Sequence, residues 1–127
     1  MDEEAKREVL ATYAAYAKAF LANDVSALDA LIQYPLAYIG NGGTTLVDSF
    51  PVQPAALMAA KQWYSTRDLS YEVVFASAEK AHLILRHATR VREDGSPIET
   101  VSCFYALTRR PSGWKFFALS DLAIPAA

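Results

Sequence analysis

The chain has 127 residues, 53% of them hydrophobic and 12% aromatic, which suits one domain with a real core and argues against a disordered polymer. Its formal charge of −2 and pI near 5.6 give no electrostatic reason to bind nucleic acid or an anionic membrane. The single cysteine, Cys103, cannot close an intrachain disulfide, the start MDEEAKREV is acidic where a secretory signal is basic, and no apolar run approaches a membrane span, so a cytoplasmic protein is expected.

From Glu3 to Ala22, Val9, Leu10, Tyr13, Tyr16, Ala17, Phe20 and Leu21 recur at spacings of three and four, the pattern of an amphipathic helix. Asn23 and Asp24 interrupt it and can cap a second helix, Val25 to Gln33, with Leu28, Leu31 and Ile32 on its apolar side. Pro35 then forces an extended chain, and PLAYIG and TTLVDSF flank Asn41-Gly42, a dipeptide suited to a tight hairpin turn. Pro54 opens a third helix running to about Tyr64, with Leu57, Met58 and one side of Trp63 or Tyr64 turned inward.

Four strands follow: LSYEVVFAS, AHLILRHATRVR, PIETVSCFYALTRR and WKFFALSDLAI. The links between them are too short for parallel crossovers, so they form an antiparallel meander. Helices first and strands afterwards make an α+β fold with the helices on one face of the sheet.

Across Asp94-Gly95, apolar alternation puts Ala81, Leu83, Leu85, His87, Thr89 and Val91 on one face, with Val101, Cys103, Tyr105 and Leu107 opposite. A three-residue loop with Gly95 left-handed is expected to pair Leu85 with Tyr105 and His87 with Cys103. Ile84, Ala88, Phe104 and Ala106 then form an apolar centre on the other face, edged by Arg86, Arg90 and Arg92, which suits a homodimer through the sheet.

The order of two helices, hairpin, helix and meander, with YAKAFLANDVSAL near the start and SGWKFFALSD near the end, resembles the nuclear transport factor 2-like superfamily. That group includes the SnoaL-like proteins and the ketosteroid isomerases. The resemblance covers nearly the whole chain and implies one domain, 1–127, with a cystatin-like cone: a strongly curved antiparallel sheet with three helices packed on its concave face. It also implies a pocket, open at one end, for a small, mostly apolar molecule. The oxyanion-binding tyrosine of the ketosteroid isomerases corresponds to Tyr16, placed before Asp24 as in that family. Their general base falls at Gly40 or Asn41 and their second oxyanion donor in the region of Tyr105, so steroid isomerisation is not expected.

Tyr13, Tyr16, Tyr38, Trp63, His87 and Tyr105 are the expected lining of the pocket. An enzyme of the SnoaL-like or isomerase kind would use His87 or Asp121 as acid or base and Tyr16 as oxyanion donor. Each has an ordinary alternative. Tyr16 can be a core aromatic beside Tyr13, His87 a buried neutral imidazole, Asp121 a solvated strand-end carboxylate and Cys103 a small hydrophobe. His82 has the opposite parity to His87, and no carboxylate stands at ligand spacing from either, so no metal or other cofactor is expected. A third reading is a dimeric interaction module that recruits a partner chain through the sheet.

Overall fold

The computed structural model describes residues 1–51 and 53–122. Helix α1 spans Glu3–Leu21 and starts where the Asp2 carboxylate accepts the Ala5 amide at 2.9 Å, while Glu3 and Glu4 face the positive end of its dipole. Its inward stripe is Ala5, Val9, Tyr13, Tyr16 and Ala19, with Phe20 half-buried beside it and Leu21 exposed.

Asn23, in the left-handed region at φ 53°, turns the chain, and Asp24 caps α2, Val25–Ala30, through the Ala27 amide. This helix ends earlier than Gln33. The Leu31 carbonyl accepts the Phe116 amide at 2.9 Å, and Ile32 is thereby drawn into the sheet.

Strands β1, Ile32–Gly40, and β2, Gly43–Val47, form the expected hairpin, with Gly42 at φ 82° in its turn. Helix α3, Pro54–Lys61, also stops early. Gln62 is left-handed at φ 57°, and the Trp63 amide reaches back to the Met58 carbonyl at 2.8 Å.

The meander comprises β3, Ser65–Ala76, β4, Lys80–Val91, β5, Pro97–Arg110, and β6, Gly113–Leu122. Two residues expected in the last strand, Ala123 and Ile124, lie outside the described residues. The sheet order is β2-β1-β6-β5-β4-β3. All neighbours are antiparallel except β1 and β6, whose long sequence separation permits a parallel pair.

Register shifts interrupt β1–β6, β3–β4, β4–β5 and β5–β6. Each bulge bends its strand and increases the twist, which curves the sheet around α1 without closing it into a barrel. The fold is the expected α+β cone. Leu83, Leu107 and Phe116 from the concave face are almost wholly buried, together with Val9 of α1 and Leu28 of α2.

The β4–β5 hairpin differs from expectation in a way that matters for the site. Its loop is Glu93-Asp94-Gly95, closed by the Arg92 amide on the Ser96 carbonyl, with Gly95 at φ 86°. Leu83 therefore pairs with Tyr105 and Leu85 with Cys103, two residues from the expected register. A two-residue offset keeps every side chain on its face. The consequential change is a bulge between Leu85 and Ala88, which holds one more residue than the facing segment of β5. Past it the inward parity passes to Ala88 and Arg90. His87 is exposed, opposite Ser70 of β3.

Candidate functional site: an aromatic cavity under the first helix

The concave face and the helices border two adjacent lobes. The larger, about 370 Å³, reaches from Tyr38 and Asp121 past Phe50 and Tyr16 to Leu57, Lys61 and Glu99. The smaller, about 110 Å³, runs beneath α1 between Tyr13, Trp63, Leu69 and Ala88. Tyr16, Phe20, Leu85, Arg90, Val101 and Tyr105 border both. The smaller lobe is mostly apolar, whereas the larger mixes aromatic and aliphatic wall with Lys61, Arg90, Glu99 and Asp121, and a volume of this order suits a small-molecule site.

Tyr16 is the hub of the wall. Its ring centroid lies 4.9 Å from Phe116, 5.8 Å from Tyr13 and Tyr105, 6.1 Å from Phe50 and 6.2 Å from Phe20, all of these tilted or edge-on. Tyr13 continues the cluster onto Tyr71 at 4.5 Å. Burial pushes the phenols of Tyr13, Tyr16 and Tyr105 well above their ordinary value. They are neutral hydrogen-bond donors at physiological pH, unsuited to act as bases. Burial likewise pushes the Cys103 thiol up to about 12, so it carries no nucleophilic thiolate near neutrality.

At one mouth, Tyr38 of β1 donates its hydroxyl to Asp121 of β6. That bond, followed by burial, raises the Tyr38 phenol to about 12. Asp121 is exposed, lies opposite Cys103 and borders the larger lobe. A bulge around Phe117 puts Trp114, Phe116, Leu119 and Asp121 on the concave side, whereas simple alternation would group Asp121 with Lys115 and Phe117.

At the other mouth stands a charged cluster that the sequence did not reveal. Lys61, at the end of α3, binds both carboxylate oxygens of Glu99, at 2.6 Å for Oε2. Arg90 donates to the same Oε2 at 3.3 Å and lies over the Trp63 ring, 4.4 Å from its centroid. The indole is pinned in turn, its Nε1 donating to the Ser65 carbonyl at 2.7 Å. Strict alternation along β4 hides this grouping, because the bulge alone brings Arg90 inside; the nearest sequence signal is Lys61 two residues before Trp63.

Of the six expected lining residues, Tyr13, Tyr16, Tyr38, Trp63 and Tyr105 border the cavity. His87 does not. The bulge turns it to the convex side, which removes it both as a lining residue and as a base acting in the cavity. The same change takes Ala88 and Arg90 away from the expected convex patch. That side keeps Ile84, and Phe104 stacked on His82 at 5.3 Å. Asp48 is exposed just after β2. Among the described residues, no three His, Cys, Asp or Glu side chains gather as a metal site needs, and no helix is long and apolar enough to cross a membrane.

No protein-family model matches the chain, and no curated protein matches it. Solved structures do. An NTF2-like protein with a cystatin-like fold from Novosphingobium aromaticivorans superposes with a TM-score of 0.68 at 16% identity, over 98% of this chain and 84% of its own. A cystatin-like fold protein from Burkholderia xenovorans gives 0.63 at 20% identity, over 98% and 96%. A candidate aromatic ring hydroxylase, also from N. aromaticivorans, gives 0.65 at 15% identity, over 100% and 94%. At these identities the likeness establishes the fold, an NTF2-like cystatin-type cone, and leaves function to the site.

Proposed function

We propose that the protein binds a small, mostly apolar organic molecule in the cavity between α1, α3 and the concave sheet. The observation that carries this reading is the open space of about 370 Å³ beside the Tyr16 cluster. A concave cleft of this order with an aromatic wall and a few fixed polar groups is the kind of site that takes a small organic ligand. An aromatic or alicyclic ligand suits it. One structural neighbour is a candidate aromatic ring hydroxylase, which agrees with this class of ligand. The chain's expected setting is the cytoplasm, and its expected assembly a homodimer through the convex face around Ile84, Phe104 and Ala106.

The test is a thermal-shift panel of small aromatic and alicyclic compounds on the whole chain. Ligand at a hundred times its Kd stabilises by about 2.7 kcal/mol, which a melting curve reads easily. Leu85→Trp, which fills the space shared by both lobes, should abolish every shift seen with the parent chain. Shifts that persist in a folded Leu85→Trp protein would move binding elsewhere.

A second reading is enzymatic, and the Tyr38–Asp121 pair at the cavity mouth favours it. Asp121 would serve as acid or base, with Tyr16 as oxyanion donor, in a cofactor-free isomerisation, cyclisation or hydrolysis. Asp121→Asn would then abolish turnover of a bound compound while leaving its affinity within about three-fold. Equal turnover in the two proteins would reject this role.

A further inference from the structure

The charged cluster of Lys61, Arg90 and Glu99 is unbalanced. Lys61 and Arg90 bring two positive charges and Glu99 one negative, and all three border the larger lobe. The next carboxylate on that lobe, Asp121, stands opposite Cys103. Cys103 is four residues along β5 from Glu99, about 13 Å in an extended strand and beyond ion-pair reach. The Arg90 side chain is 17% exposed, that of Glu99 25% and that of Lys61 38%. A surplus positive charge held partly out of water beside an apolar cavity is costly unless an anion accompanies it.

The geometry also leaves donors to spare. Among the described residues, Glu99 is the only hydrogen-bond partner of the Arg90 guanidinium, which has five N–H groups in a planar fork. Stacking on the pinned Trp63 ring fixes that plane in advance, so little ordering remains when an anion binds.

We propose that the cavity's ligand carries a carboxylate on its apolar or aromatic body. Arg90 and Lys61 grip the carboxylate, and the body lies against Tyr16, Phe20 and Tyr105. Glu99 holds the two cations in place and lowers their net charge to one, so that a monoanion is matched. This assignment rests on the small-molecule reading above and adds the ligand's polar end.

Calorimetric titration of the whole chain with 2-naphthoate and its neutral isostere 2-naphthamide at pH 7 tests it. The carboxylate should bind at least ten-fold more tightly, about 1.4 kcal/mol. Arg90→Gln and Lys61→Met should each shrink that gap below three-fold by weakening naphthoate and leaving naphthamide unchanged. Glu99→Gln should widen it, because it frees both cations, whereas a network that only braces the fold gives no such gain. Melting curves check folding, and Lys61→Met, at a more exposed position, still decides the matter if Arg90→Gln does not fold.

Naphthamide binding within three-fold of naphthoate, or a gap unmoved in Lys61→Met and Glu99→Gln, would overturn the carboxylate assignment and leave the apolar pocket standing. Binding of neither probe to the parent chain would count against both.

Discussion

Tyr38 and Cys103 lie near one mouth of the cavity, and both are held protonated well past the pH at which the free side chains ionise. For Cys103 the cause is burial; for Tyr38 it is chiefly the bond to Asp121. A pKa raised in the folded state means that the unfolded chain releases its proton first as pH rises. Their contribution to stability is therefore complete below about pH 9 for Cys103 and pH 10 for Tyr38, and is lost as pH climbs toward about 12. The melting temperature should fall across that interval, with the early part of the fall reduced in Cys103→Ala. At pH 8 the native thiol should react with an aromatic disulfide reagent at least a hundred-fold more slowly than in the denatured chain; equal rates would contradict its burial. Tyr16 was legible in the sequence because helical spacing alone decides which face it occupies. His87 was not, because in a strand one inserted residue reverses every side chain beyond it.

At the scale of elements, helix starts read well and strand register read poorly. Asp2 and Asp24 cap α1 and α2 through single carboxylate-to-amide bonds of 2.9 and 3.1 Å, an interaction local enough to be read from three or four residues. Asp2→Ala should cost about 1 kcal/mol in denaturant unfolding, and a loss below a few tenths would show that the cap is not formed in solution. Phe116 shows the opposite case. Its place depends on the bulge that takes Phe117 out of step, and it packs at 1% exposure against Tyr16 and Tyr105. Phe116→Ala should cost about 3–5 kcal/mol, with the urea midpoint as the readout. The helices ended sooner than their apolar patterns: the Phe116 amide on the Leu31 carbonyl captured the end of α2, and the left-handed cap at Gln62 closed α3 locally.

For the whole molecule, the fold followed from element order and short connections, which leave few ways to cover an antiparallel sheet with three helices. The cone's curvature was expected only through the family resemblance, because the bulges that produce it fall at positions with no special sequence mark. Those same bulges put Arg90 and Asp121 on the cavity. The convex side, with exposed Phe75 and half-buried Ile84 and Phe104, is the surface for the proposed homodimer. Light scattering should give a dimer at micromolar concentration, and Ile84→Glu should give a folded monomer; a monomeric parent chain would reject the assembly.

The central claim is that a small molecule enters the space beside Tyr16. Its most direct test is a heteronuclear NMR titration of the whole chain with 2-naphthol, a neutral probe that sets the polar end aside. The expected result is saturable one-to-one binding, with shifts concentrated at Tyr16, Phe20, Leu85, Val101 and Tyr105. Saturable shifts confined to the convex face, or none at millimolar probe, would contradict it.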